Sequence, residues 1–414
     1  MLTRFIVISC VVLFIDWYFF QAVLTLLKGV SPSTKQIVSW LYWSSSVATL
    51  LYFTIPYLVP SFHWPKFIHI YFIGFVGMLF FSKLFGSIFI LLDDVIRLFN
   101  WGIALFKQNV NGENIESGMS RLQFLNNIAI GVTAIPFATF VYGMLKTAFQ
   151  YKIHNVKINL PKLPNAFHGL RIVQVSDIHA GSFVSTKPLE KAVELINQQN
   201  PDLVFFTGDL VNDKASEMNP HINTLSKIKA KEGVYSILGN HDYGDYYNWK
   251  SQKEKSENLE QLKAIHAQMG WRLLLNEHIS ITRNNTKIGI IGVENWGNNL
   301  HFTKYGKLQD AHKGTEEYAV KLLLSHDPSH WNGEVTNSYK DIDVTFSGHT
   351  HGFQFGIEIP GIKWSPVQYL YKQWAGLYKN QHQYIYVNRG LGFLGYPGRV
   401  GIKPEITVIE LMNS

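Results

Sequence analysis

Asp341-Ile342-Asp343-Val344-Thr345-Phe346-Ser347-Gly348-His349-Thr350-His351-Gly352 decides how the chain is read. Its first half alternates apolar and polar residues as a short strand does, and the two glycines then break it into a turn. Histidines at i and i+2 on such a turn can point at neighbouring ions. Alone the pair is a weak signal, because histidines in glycine-flanked turns are mostly solvated or hydrogen-bonded loop residues. Four other strands give it weight.

Leu170–Val175 is a continuous apolar run that delivers Asp177 and His179. Asp202–Thr207 ends in Gly208-Asp209, Val234–Leu238 in Gly239-Asn240-His241-Asp242, and Lys321–Ser325 in His326. Each of these has a bland reading taken singly: Asp after Gly favours turns, Asn caps helices, and a lone buried His is a satisfied core residue. Five strands with such residues at their carboxyl ends point instead to the crevice where open α/β sheets bind ligands. Before them, Tyr151–Leu160 reads as an edge strand entering a new domain, and between the first two Pro188–Gln199 reads as a helix. Asp245–Glu260 reads as a solvated insertion or helix start, and Lys287–Val293 as a strand without a terminal ligand.

Three Asp or Asn oxygens and four His nitrogens, with no sulfur, suit Mn, Fe, Zn or Co. Cys10 is the single cysteine, so no intrachain disulfide and no cysteine-based zinc site can form. Seven side chains are too many for one ion. Two ions about 3.5–4 Å apart, sharing a carboxylate, would use them all and would clamp the oxygens of phosphoryl transfer.

Asp-x-His, Gly-Asp, Gly-Asn-His-Asp, a lone His and Gly-His-x-His, in this order, closely resemble the calcineurin-like metallophosphoesterases over roughly residues 165–414. The arrangement with preceding membrane spans is similar to the transmembrane branch of that family. The resemblance implies an α/β fold, a four-layer α/β/β/α sandwich. It implies that Asp177, His179 and His351 hold one metal, that Asn240, His326 and His349 hold the second, and that Asp209 bridges them. It also implies that His241 stabilises the transferring phosphoryl group and protonates the leaving oxygen. Where the family often carries Gly-Asp-x-x-Asp, with the last Asp orienting the catalytic His, this chain has Gly208-Asp209-Leu210-Val211-Asn212-Asp213. Either Asp213 substitutes through a one-residue shift, or His241 acts mainly as a neutral or phosphate-facing donor. Asn212 can accept a hydrogen bond yet cannot stabilise an imidazolium as a carboxylate would, so Asn212→Asp is expected to raise turnover on poor leaving groups.

Residues 1–150 read as a membrane module. Phe5–Leu27, Ile37–Val59, Phe67–Leu92 and Phe124–Leu145 are each long enough to cross about 30 Å of hydrocarbon, which makes an all-α bundle of four transmembrane helices and a multi-pass integral membrane protein. Val7-Ile8-Ser9-Cys10 resembles a lipoprotein cleavage box, but the apolar run continues beyond it, so an uncleaved span is expected. Lys107–Arg121 is the one sizeable polar loop. Asp16 and Lys83 lie inside spans, where they either pair within the bundle or stay separate, Lys83 snorkelling and Asp16 neutral or facing polar neighbours. Residues 1–165 carry 12 Lys+Arg against 5 Asp+Glu, while residues 166–414 carry 25 of each. The basic excess therefore flanks membrane segments, and nucleic-acid binding is not expected. The positive-inside count ties between the two orientations; the cytoplasmic face is the working expectation for residues 151–414, the catalytic domain.

Pro360–Tyr378 is dense in aromatics, which either cap the site, rest on the bilayer or pack the second sheet. Arg389 and Arg399 are candidates to hold a substrate phosphate. The function expected is a membrane-anchored, dinuclear-metal phosphohydrolase that cleaves a phosphoester or pyrophosphate bond, with a lipid-linked substrate suited to the tether. The alternatives are a hydrolase of soluble nucleotides or phosphodiesters and a non-catalytic membrane-anchored scaffold.

Overall fold

A computed structural model describes residues 2–59, 62, 64–111, 119–298 and 302–413. The chain divides into two units, Met1–Tyr142 and Gly143–Ser414.

The first unit is helical: α1 (Leu2–Leu26), α2 (Pro32–Leu58), α3 (Lys66–Asn111) and most of α4 (Met119–Leu145). Ser31 caps α2 by accepting from the Thr34 amide, with Pro32 in the first turn. Ser9–Leu26, Lys66–Ile103 and Ile128–Phe149 are the segments, among the described residues, long and apolar enough to cross a bilayer; α2 is as long but carries Ser39, Ser44, Ser45 and Ser46. At 46 residues, α3 extends about 69 Å and outruns the hydrocarbon layer. Its expected end at Leu92 is passed because Asp93 and Asp94 pair with Arg97 along the helix surface (each 3.7 Å) and continue the turn. The expected loop is correspondingly shorter: Lys107–Asn111 belong to α3, Met119–Arg121 to α4, and 112–118 lie outside the described residues. Phe14, Trp17, Leu41, Leu51 and Phe81 are exposed, whereas Asp16 and Lys83 are buried. The two charges pair at 2.7 Å; Ser46 Oγ donates to the other Asp16 oxygen at 2.5 Å, and Lys83 Nζ lies 4.4 Å from the Tyr42 ring centre. Polar groups inside and apolar groups outside is the polarity of a membrane bundle.

Among its described residues the second unit has fourteen strands: β1 (Lys152–Asn159), β2 (Leu170–Val175), β3 (Leu203–Phe206), β4 (Val234–Ser236), β5 (Trp271–Leu273), β6 (Glu277–Arg283), β7 (Thr286–Gly292), β8 (Lys321–Leu324), β9 (Val344–Ser347), β10 (Ile357–Ile359), β11 (Ile362–Trp364), β12 (Gly376–Asn380), β13 (Gln383–Val387) and β14 (Glu405–Met412). One sheet runs β1-β14-β2-β3-β4-β5, a second runs β12-β13-β9-β8-β7-β6, and β10 and β11 form a separate hairpin. The continuous apolar runs divide by alternation between cores on their two faces. Leu170, Ile172, Leu203 and Phe205 meet Leu322, Leu324, Val344 and Phe346 between the sheets. Val173, Val175, Val204 and Phe206 face outward, against α5 (Lys187–Asn197) through Leu189, Ala192, Val193 and Ile196 and against Leu262 and Ile265 of a helix over Gln252–Gln268. Beyond the second sheet, Ile291, Leu323 and Ile385 pack with Leu308, Ala311, Trp331 and Val335 of short helical turns. The result is a four-layer α/β/β/α sandwich. The opening stretch forms its strand over Val344–Ser347; Asp341 and Asp343 precede it, where Asp343 accepts from the Lys321 amide at 2.9 Å.

Candidate metal centre

The loops leaving β2 and β3 keep bonding after the strands stop: Asp177 N donates to Gly208 O (2.9 Å), His179 N to Asp209 O (3.1 Å) and Ala180 N to Leu210 O (2.9 Å). Buried Gln174 ties this sheet to the other, donating from Nε2 to Ser347 O at 2.9 Å. Gly208 has φ 93°, and a Cβ there would stand 2.6 Å from Gly239 N; one on Gly348 would stand 2.3 Å from Asp177 Oδ2. Those glycines let the turns close on one another. Asp177, His179, Asp209, His349 and His351 all adopt left-handed φ, between 49° and 72°. Asp and His tolerate this region better than most side chains, and several such residues together mark a place where the surroundings dictate the backbone.

The seven expected ligand residues come together as two groups. In the first, His179 Nε2 is 3.0 Å from His351 Nε2, and His351 Nε2 is 3.3 Å from Asp177 Oδ1. In the second, His349 Nδ1 is 2.9 Å from Asn240 Oδ1 and 3.3 Å from His326 Nε2. Asp209 Oδ2 lies between the groups, 3.6 Å from His179 Nε2 and 3.2 Å from His326 Nε2. Donors bound at about 2.0–2.2 Å to one ion stand about 3.0–3.5 Å apart, so these spacings fit metal ligation. Asp177, His179 and His351 form one set able to hold a metal, and Asp209, His326 and His349 another.

The supporting bonds fix ring orientations. His326 Nδ1–H donates to Thr207 O at 2.7 Å, turning Nε2 towards Asp209, and the Asp177 carboxylate accepts from the His349 amide at 3.0 Å. Burial pushes Asp177 up to about 6, with the Asp209 charge adding to it. Burial also pushes His179 down to about 3 and lowers His349 and His351, which keeps these imidazoles neutral, the metal-binding form. Although burial opposes charge on Asp209, the histidines around it, His326 first, hold its carboxyl well below the usual range. Burial likewise opposes charge on His326, but Asp209 overcomes it and raises the imidazole to about 10.

His241 stands beside this cluster, its ring centre 5.0 Å from that of His179. Its Nδ1–H donates to the backbone carbonyl of Asn212 at 2.8 Å. The Asn212 side-chain amide pairs with Ser182 Oγ instead, the buried oxygen Asp213 Oδ1 makes no hydrogen bond among the described residues, and Glu217 secures the turn by accepting from the amides of Asn212, Asp213 and Lys214.

Three residues at the site carried no role in the sequence reading. Buried Asp242 accepts four backbone N–H groups, from Asp209, Leu210, Val211 and Gly239. Its position directly after Asn240-His241 was the available signal. Tyr246, in the stretch read as a solvated insertion, accepts from Asn240 Nδ2 at 2.9 Å and so turns the amide oxygen towards His349. Tyr371 Oη lies 2.9 Å from His349 Nε2. The aromatic segment divides among its readings: Trp374 packs with Val367, Ala375 and Ile402, Tyr371 reaches the site, and Tyr369 and Leu370 are exposed.

Arg389 and Arg399 are not placed to hold a phosphate. Both are buried; Arg389 pairs with Glu405 and Glu358, and Arg399 donates to the carbonyls of Arg389, Gly390 and Gly392.

Comparison with known proteins matches residues 170–353 to the calcineurin-like phosphoesterase family and residues 3–148 to the transmembrane domain described as that of a probable calcineurin-like phosphoesterase. A transmembrane protein with metallophosphoesterase domain from Danio rerio is 30% identical over 362 residues, covering 85% of this chain and 75% of that one. The metallophosphoesterase YkuE of Bacillus subtilis is 30% identical over 308 residues, 72% of this chain and 99% of that one. UDP-2,3-diacylglucosamine pyrophosphatase LpxG of Chlamydia muridarum is 26% identical over 315 residues, 63% of this chain and 89% of that one. Five strand-end blocks on a double sheet behind a membrane-spanning region, together with these likenesses, place the chain among the calcineurin-like metallophosphoesterases, as a metal-dependent phosphoesterase of the transmembrane branch.

Proposed function

We propose that residues 151–414 form the catalytic domain of a dinuclear phosphohydrolase, held at the membrane by residues 1–150, and that it cleaves a phosphoester or pyrophosphate bond of a lipid-linked substrate. The observation that carries the dinuclear reading is the single oxygen Asp209 Oδ2, within 3.6 Å of a nitrogen from each group. Asp177, His179 and His351 would hold one ion, Asn240, His326 and His349 the other, with Asp209 shared. Bound divalent metals supply Lewis-acid polarisation and a water made acidic enough to act as nucleophile near neutral pH. The bond from His241 Nδ1 to the Asn212 carbonyl leaves Nε2 to contact a phosphoryl oxygen and to deliver a proton to the leaving oxygen. The likeness to a pyrophosphatase named for a diacylated nucleotide sugar, and the membrane region, support a lipid-linked substrate.

Metal analysis of wild type and Asp209→Asn, with a panel of phosphomonoester, phosphodiester and pyrophosphate substrates, tests the reading. Wild type should carry two metals, and the variant should lose metal and activity together. Wild type that carries two metals and hydrolyses nothing on the panel would favour a scaffold. Comparing turnover on water-soluble and micellar substrates tests the lipid-linked part; equal kcat/KM on both would reject it.

A further inference from the structure

The hairpin of β10 and β11 has its polarity reversed. Its register pairs Glu358 with Lys363 on one face and Ile357 with Trp364 and Ile359 with Ile362 on the other. The polar face is the one bonded to the body of the unit: Glu358 Oε1 accepts from Arg389 Nη2 at 2.6 Å, and Lys363 Nζ donates to Ala375 O and lies 4.6 Å from the Trp374 ring centre. Ile357, Ile359 and Ile362 on the opposite face are 48%, 56% and 53% exposed. A hairpin that only covered the body would turn its isoleucines inward.

The neighbourhood extends this surface. Trp364 Nε1 donates to Tyr369 Oη at 3.4 Å, and Tyr369 and Leu370 are 76% and 75% exposed. Phe353 is half exposed although its φ of 60° is unfavourable for a bulky side chain. Isoleucines with a Trp and a Tyr at their margin form the composition that enters the headgroup boundary of a bilayer. Charge supports the same occupant. From Val344 to Pro404 the only acid is Glu358, already paired with Arg389, while Lys372, two residues after Leu370, and Lys403, next to the Ile402 that packs against Gly352 and Gly356, are exposed. Basic residues beside an apolar surface favour anionic lipid.

We infer that Ile357, Ile359, Ile362, Tyr369 and Leu370 form an interfacial docking surface that seats the second unit on a lipid bilayer containing anionic headgroups. The inference does not depend on which bond the metal centre cleaves. Leu370 immediately precedes Tyr371, whose hydroxyl meets His349, so the docked surface adjoins the metal centre.

The test uses the full chain in phosphatidylcholine vesicles with and without phosphatidylglycerol. With Cys10→Ser, a fluorophore is placed at Ile362→Cys, and at Lys253→Cys as a control on a helix of the other sheet's outer layer. Lipids brominated on the acyl chain should lower emission at 362 about twofold, more so with phosphatidylglycerol, and leave 253 unchanged; aqueous iodide should show the reverse order. Equal access of iodide to both positions would overturn the inference. So would emission at 362 that depends on the protein-to-lipid ratio but not on bromination, which would assign the surface to a second copy or another protein. If the Ile362→Cys chain does not fold, Tyr369→Cys takes its place with the same criteria.

Discussion

Replacing Asp242 by Asn keeps the side chain's shape while removing its charge and half of its acceptors. Oδ2 accepts from Asp209 N at 2.9 Å and Gly239 N at 2.8 Å; Oδ1 accepts from Leu210 N at 2.8 Å and Val211 N at 3.2 Å. Whichever way the amide turns, two N–H groups meet an NH2 in a site closed to water. Losing two hydrogen bonds to a charged group at about 1.5–3 kcal/mol each costs about 3–6 kcal/mol. Burial pushes the Asp242 carboxyl up to about 7, so part of the gain from the charge is already offset by desolvation, and the lower half of that range is expected. For a domain of this size that lowers the unfolding midpoint by roughly 10 °C. The loss falls on the turn carrying Asp209, so metal content should fall more steeply than helical content. Thermal unfolding in detergent, circular dichroism and metal analysis would be compared for Asp242→Asn and for Asp310→Asn, an exposed control. A variant with full metal content and a midpoint within about 2 °C of wild type would refute the assignment.

Tyr371→Phe removes the hydroxyl beside His349 Nε2 and, on the proposed dinuclear reading, should weaken one metal about 10-fold in chelator competition, leaving the other unchanged; equal weakening of both would deny it a selective role. His241→Ala should lower kcat about 10²–10⁴-fold with metal content intact, and loss of metal would make His241 structural instead. Because the Asn212 carbonyl holds that ring, Asn212→Asp should leave turnover on poor leaving groups within about twofold, a reversal of the sequence-based expectation; a larger rise would restore a side-chain role. In the helical unit, Asp16→Asn leaves Lys83 buried without its counter-charge and should lower the detergent unfolding midpoint, while Asp16→Asn with Lys83→Met should recover most of the loss. A double variant no better than the single one would show that the pair is not the source of the effect.

The proposed ligand blocks were legible as a group because each sits where an apolar run meets a turn, and parallel pairing of the strands brings those turns to one rim. Tyr246 and Tyr371 were not, since their distance from Asn240 and His349 depends on how loops fold back, which no local periodicity encodes. Asp242 stood in one of the five blocks, yet three of its four partners, the amides of Asp209, Leu210 and Val211, belong to another turn. Arg389 and Arg399 misled because an arginine in a glycine-rich stretch looks exposed, whereas Glu358 and Glu405 draw one inward and backbone carbonyls the other. The strands β5, β10 and β11, three residues each, lack enough residues for a pattern. The neighbours of β14 in its sheet are a matter of topology rather than composition.

That position of β14 sets an order of events during synthesis. Among the described residues β1 pairs with β14 alone, Lys152 with Glu405 and Asn159 with Met412, across about 250 residues of chain. When β1 leaves the ribosome behind the membrane helices, its partner does not yet exist. The later strands β2 to β4 can assemble while β1 waits as an unpaired edge, and insertion of β14 between β1 and β2 closes the sheet only once residue 412 has been made. A chain stopped before Glu405 would retain the seven proposed ligand residues but leave two strand edges open, so its expected fate is aggregation at the membrane rather than a partly active enzyme.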